Sequence, residues 1–110
     1  MINYEYESKA CGEIIVKAKE KNQTLGFIQY YNLSEKQNTI LDLRVIKEYR
    51  NQGIARGLLD LVEENGKEII LTHVVKDAEN FWENRGYNLR RNGIYTEGIK
   101  KVKSKKKQYF

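Results

Sequence analysis

Val45-Ile46-Lys47-Glu48-Tyr49-Arg50-Asn51-Gln52-Gly53-Ile54-Ala55-Arg56-Gly57-Leu58-Leu59 is the stretch whose reading decides the fold. The branched apolar run over residues 40–46 reads as a strand. A polar turn over residues 47–52 leads into an amphipathic helix that opens at Gly53 or Ile54. Ile54, Ala55, Leu58, Leu59 and Val62 recur at helical spacing, so one face is expected to lie on a sheet. Gly66 is placed to stop the helix. At the start of such a helix several backbone N–H groups have no intrahelical partner, and the dipole is positive there. Gly53 has no Cβ to hold a ligand off that backbone, and Arg50 and Arg56 add positive charge on either side. This is the chemistry of a site for a pyrophosphate or another polyanion. The plainer reading is an ordinary strand–turn–helix connection with solvated arginines, and physics alone leaves both open.

The spacing adds to this. Arg50-Asn51-Gln52-Gly53-Ile54-Ala55 resembles the Arg/Gln-x-x-Gly-x-Gly/Ala signature of the GNAT superfamily, the acyl-CoA-dependent N-acyltransferases. Val45 lies five residues before the arginine and Leu58-Leu59 follow, both similar to that family's pattern. A place between a strand and a helix is the context the motif requires.

A chain of 110 residues is expected to form one domain with a real core, needing no disulfide or metal staple. The single cysteine, Cys11, rules out an intramolecular disulfide framework and fits a reducing, cytoplasmic setting. No apolar run approaches the roughly 18 residues of a membrane span, and the N-terminus lacks the pattern of a secretory signal. The net charge of +5 belongs to the C-terminal end. Of the 20 basic residues, six (Lys100, Lys101, Lys103, Lys105, Lys106 and Lys107) stand there with no acid among them, leaving 14 against 15 acidic residues. Such a terminus reads as a solvated, frayed end or as a contact for nucleic acid or an acidic protein surface.

Residues 1–10 alternate tyrosines with acids and read as an edge strand, broken at Cys11-Gly12. Residues 13–20 read as a second strand with Ile14, Val16 and Ala18 on one face. Lys21-Asn22-Gln23 is turn chemistry, and residues 24–31 form a third strand. After the helix, residues 68–75 are almost continuously apolar, the pattern of a strand covered on both faces. Asp77 is a plausible cap for a second helix over residues 78–84, with Ala78, Phe81 and Trp82 on one face, ended by Gly86. Residues 87–91 and 94–102 pair as a hairpin about Asn92-Gly93, a type I′ signal. The expected fold is a single α/β domain over residues 1–102, with a mixed, mostly antiparallel sheet flanked by helices. A lysine-rich tail over 103–110 follows.

The second half extends the resemblance. Ala78-Glu79-Asn80-Phe81-Trp82-Glu83-Asn84-Arg85-Gly86-Tyr87 resembles the family's Ala-x-x-Phe/Leu-Tyr-Glu-x-x-Gly-Phe motif, and the match spans roughly residues 13–100. Three departures stand out. Only about a dozen residues precede the first hairpin, where most members have a strand and two helices that wall the acceptor groove. That favours a macromolecular acceptor, or a groove completed by a partner or a second copy of the chain. Lys47 replaces a common proline, and Trp82 replaces a tyrosine placed in many relatives to protonate the leaving thiolate. An indole N–H donates but is no usable acid near neutral pH. The usual base position aligns with Thr39; Asp42 and His73 are the other titratable candidates, each with a structural alternative.

The resemblance implies a small N-acetyltransferase that takes its acetyl group from acetyl-CoA and passes it to a primary amine, with no metal. It places the pantetheine beside Leu43 and Val45, and the pyrophosphate on Arg50, Asn51, Gln52, Gly53, Ile54, Ala55 and Arg56. Ala78 and Trp82 are placed at the thiol end. Amine attack can proceed by positioning and oxyanion stabilisation alone. A CoA-binding or non-catalytic module that works by holding a macromolecule is the second reading. A nucleic-acid binder that stacks bases on Phe27, Tyr30 and Tyr31 is the third.

Overall fold

The computed structural model describes residues 1–102. The lysine-rich segment 103–110, and the nucleic-acid contact expected of it, lie outside the described residues. Seven strands form one mixed sheet: β1 (Asn3–Ser8), β2 (Glu13–Glu20), β3 (Gln23–Asn32), β4 (Gln37–Val45), β5 (Glu68–Leu71), β6 (Asn88–Asn92) and β7 (Tyr95–Lys100). Their order is β1-β2-β3-β4-β5-β7-β6. Only β4 and β5 run parallel, because α1 (Ile54–Glu63) carries the chain back between them. A short α2 (Glu79–Asn84) precedes the last hairpin.

Both helices lie on one face of the sheet. Alternation sends Val16, Ala18, Ile28, Tyr30, Ile40, Ile69 and Leu71 to that side, and all are buried. From α1 they meet Ile54, Leu58, Leu59 and Val62, the stripe expected from the 3.6-residue period. Ala55, on the shoulder of that stripe, is only half-buried. Gly57 leaves room on the helix for the Tyr4 hydroxyl of β1. The opposite face carries side chains such as Lys17, Gln29 and Asp42, with no helix over it among the described residues.

Three local expectations are corrected. The strand expected over 68–75 ends at Leu71: Val74 N–H bonds to Thr96 O at 2.8 Å, so the chain turns along β7 instead of continuing in the sheet. Asp77 caps nothing; it sits inside a 3₁₀ turn (Lys76–Ala78), and α2 begins at Glu79. The β6–β7 loop is Gly93-Ile94, since Asn92 pairs with Tyr95, and of the two only Gly93 has positive φ (65°). That is a type II′ arrangement rather than I′. The I′ geometry appears in the β2–β3 loop, where Lys21 (φ 49°) and Asn22 (φ 68°) are both left-handed. A further 3₁₀ turn, Lys47–Tyr49, tightens the connection before α1.

Candidate active site

The site begins with an irregularity in β4. Gln29 pairs with Asp42 but its neighbour Tyr30 pairs with Ile40, so Leu41 is an extra residue, a β-bulge. The bulge bends β4 away from β5. Their pairing stops at Ile40 against Leu71, and residues 41–45 run on with no strand beside them on that side among the described residues. At the end of the strand Ile46 N–H bonds to Leu25 O on the β3 side at 2.8 Å, and the carbonyl of the same peptide, Val45 O, points the opposite way and accepts from Arg50 Nε at 3.0 Å.

The loop into α1 is shaped by two left-handed residues, Asn51 (φ 64°) and Gly53 (φ 82°). Such a curl turns successive N–H groups toward one concavity. The first intrahelical bond runs from Gly57 N–H to Gly53 O at 2.9 Å, and no side chain caps the helix. The amides of Ile54, Ala55 and Arg56 are therefore free to meet an anion. A Cβ on Gly53 would meet nothing within 4 Å, so the space in front of this backbone is open.

An open cleft of about 1100 Å³ runs from this helix start along β4 to α2. It brings together Leu43 and Val45, Arg50 and Asn51, Gly53 through Arg56, and Ala78 and Trp82. Gln52 alone of the expected set lies off the lining; its amide turns back to Glu48 O at 3.4 Å. Thr24, Gly26 and Phe27 of β3, with Arg44, Ile46, Lys47, Tyr49, Asp77 and Phe81, complete the walls and were not anticipated. Gly26 had a legible signal, since a lone glycine in a branched and aromatic strand marks a close backbone approach. Its Cβ would lie 2.6 Å from Arg44 O.

A second, smaller pocket of about 170 Å³ opens between the separated strands and shares Leu43, Ala78 and Trp82 with the large cleft. Asp42 and His73 both line it. Asp42 is held by Arg44 Nε, at 3.2 Å to one carboxylate oxygen and 3.0 Å to the other. His73, exposed just beyond β5, meets the Tyr95 ring edge-to-face at 4.8 Å. Thr39 is buried and lines neither cavity.

Trp82 is the wall between the two spaces. It is 7% exposed and packed edge-to-face between Phe81 (5.1 Å) and Tyr87 (5.0 Å). Tyr87 does not supply the missing acid: it is buried, lines neither cavity, and donates to Glu63 Oε2 at 3.1 Å. Burial first, then the Glu63 charge and that bond, raise its phenol pKa far above the ordinary value. Among the described residues no group of three or more His, Cys, Asp or Glu side chains could hold a metal ion, and no helix is long and apolar enough to cross a membrane.

Comparison with solved structures finds the same fold. A GNAT-family acetyltransferase from Staphylococcus aureus Mu50 superposes with TM-score 0.72 at 22% identity, covering 84% of this chain and 70% of that one. The PaiA N-acetyltransferase of Thermoplasma acidophilum, in complex with coenzyme A, gives 0.71 at 20%, covering 83% and 62%. An aminoglycoside 6′-N-acetyltransferase complexed with coenzyme A gives 0.72 at 15%, covering 89% and 77%. The chain thus spans between 62% and 77% of the length of these three proteins. No curated protein matches it. The family model described as "Acetyltransferase (GNAT) domain" matches residues 3–108, nearly the whole sequence, and the chain belongs to the GNAT acetyltransferase family.

Proposed function

We propose that the chain is an N-acetyltransferase that moves an acetyl group from acetyl-CoA to a primary amine by direct attack. The observation that carries this reading is the end of the β4–β5 pairing at Ile40 and Leu71, beside an uncapped helix start. The open edge of β4 around Leu43 and Val45, where Val45 O already accepts from Arg50 Nε, offers its remaining backbone groups to the amides of a pantetheine arm. The free N–H groups of residues 54–56, with Arg50 and Arg56, suit the pyrophosphate. Ala78 and Trp82 then enclose the thioester where the two cavities meet. Positioning the amine and excluding water lower the barrier without a dedicated acid. General acid–base assistance, typically ~10²–10⁴-fold, is a smaller contribution than holding the reactants in line.

Acetyl-CoA and CoA are expected to raise the melting temperature. Ligand at about 100 times its dissociation constant stabilises by roughly 2.7 kcal/mol. Gly53→Val should abolish the shift, because its branched side chain enters the space the phosphates need and strains a backbone at φ 82°. A wild-type melting temperature unchanged by millimolar CoA refutes the assignment. Release of free thiol from acetyl-CoA that depends on added amine is the direct assay.

A further inference from the structure

We infer that the outer edge of β1 is a dimer interface, where two copies of the chain pair their β1 strands antiparallel about a two-fold axis at Tyr4 and form one continuous sheet. β1 ends the strand order, with β2 on one side and no strand on the other among the described residues. All of its residues are exposed, and they pair with β2 one for one without a bulge. A regular edge of this kind is a template for another strand. The opposite edge of the sheet, β6, is guarded by the adjacent cations Arg90 and Arg91. β1 has no such guard. Its acids Glu5 and Glu7 turn back to β2, where Lys19 at 2.7 Å and Lys17 at 3.1 Å neutralise them.

Alternation decides which backbone groups face out. Lys9 N–H bonds to Glu13 O at 2.8 Å, directly opposite it in the β1–β2 register, so the odd-numbered residues of β1 spend their N–H and C=O groups on β2. Those of Tyr4, Tyr6 and Ser8 point away from the sheet, and Ile2, just before the strand, continues the alternation. The side chains of Tyr4 and Tyr6 lie on the helix face, 38% and 58% exposed, with the Tyr4 hydroxyl against Gly57 of α1. The edge thus offers outward amides and exposed aromatic rings together.

The side-chain pattern selects the partner. Outward groups meet outward groups only where even-numbered residues face even-numbered ones, which allows axes at Tyr4, Glu5 or Tyr6. An axis at Glu5 sets that acid against its own equivalent, and one at Tyr6 sets Glu5 against Glu7. Both place like charges directly opposite each other, which destabilises a strand pair. The axis at Tyr4 has no like-charged pair. It sets Tyr4 against Tyr4 of the second copy, Ile2 against Tyr6, and Asn3 against Glu5. Aromatic–aromatic and aromatic–branched pairs are among those that stabilise neighbouring strands, and such a self-complementary contact closes at two copies. β2 and β3 stand between this edge and β4, so the contact leaves each cleft as it is.

Sedimentation of the full chain tests this, with a species of twice the chain's mass expected at micromolar concentration. Tyr6→Pro removes an outward N–H, which an edge strand tolerates, and Tyr4→Lys sets two ammonium groups face to face across the axis. Each should stay folded by circular dichroism and weaken association about tenfold or more. Cross-linking reads the register, in a Cys11→Ser background because the native thiol is exposed. Asn3 and Glu5 of the two copies face each other as a non-hydrogen-bonded pair, about 4.5 Å apart at Cα, within disulfide reach. A mixture of Asn3→Cys and Glu5→Cys proteins should therefore form a disulfide-linked pair on mild oxidation, and neither protein alone should do so. A wild-type chain that stays monomeric up to millimolar concentration overturns the inference. So does a dimer that folded Tyr6→Pro and Tyr4→Lys variants leave intact, or Glu5→Cys protein that cross-links with itself.

Discussion

Glu63, buried on α1, accepts a 2.8 Å hydrogen bond from the Lys100 ammonium on β7, two strands beyond β4. The same carboxylate takes the Tyr87 hydroxyl at 3.1 Å and lies 3.1 Å from Arg85, which also reaches Asp60 at 2.9 Å. Lys100 in turn donates to Arg85 O at 2.6 Å. These bonds tie the end of α1 to the end of α2, whose other end carries Ala78 to the cleft. Burial pulls the Arg85 pKa down, but its hydrogen bonds and proximity to Asp60 and Glu63 outweigh this and raise it.

Glu63→Leu should therefore be costly, although leucine fits the apolar stripe of α1. It leaves Lys100 with Arg85 O but no counter-charge, takes the Tyr87 hydroxyl's acceptor away, and leaves Arg85 with Asp60 alone. Breaking a buried pair by removing one partner typically costs about 3–5 kcal/mol. Chemical denaturation checks this, and a loss under about 1 kcal/mol, the range of exposed pairs, would mean that water already reaches the network.

Tyr87 makes stability depend on pH in the alkaline range. Its folded pKa is raised above the ordinary 10.0, so the native state keeps the proton that the unfolded chain releases. The contribution is fully present below pH 10 and is lost as pH rises from there toward the folded value. The slope from this one group approaches about 1.4 kcal/mol per pH unit. Tyr87→Phe should be less stable at pH 8, through loss of the Glu63 bond, yet should show a shallower decline above pH 10. Thermal melts of both proteins from pH 8 to 11 provide the measurement.

Trp82 is expected to act by filling space. Trp82→Phe should keep most turnover when folded and saturated with acetyl-CoA, since no acid is removed. Trp82→Ala should lose about 3–5 kcal/mol of stability, as truncation of a buried aromatic does. A hundredfold or greater fall in turnover for the Phe variant would give the indole N–H a direct part in the reaction.

The α1 stripe, the glycine turn before it and the two family motifs were legible because each depends on local spacing: 3.6 residues per turn, or a left-handed position that only a few residues tolerate. The strands of the first half were legible for the same reason, through alternation. The bulge at Leu41 was not, because residues 40–46 read as one strand and the extra residue shows only against β3. Nor was the stop of β5 at Leu71, which follows from β4 bending away and from the Val74–Thr96 bond. Glu63 looked like one more polar helix residue until Lys100, 37 positions later, came to lie beside it. Asn38, fully buried with neither side-chain polar atom paired among the described residues, likewise gave no sign in the sequence. Local periodicity thus determined which elements form and where α1 starts with its first amides uncapped. Tertiary pairing decided that β4 and β5 part, and only that separation brings Asp42, His73 and Trp82, distant in sequence, around one pocket.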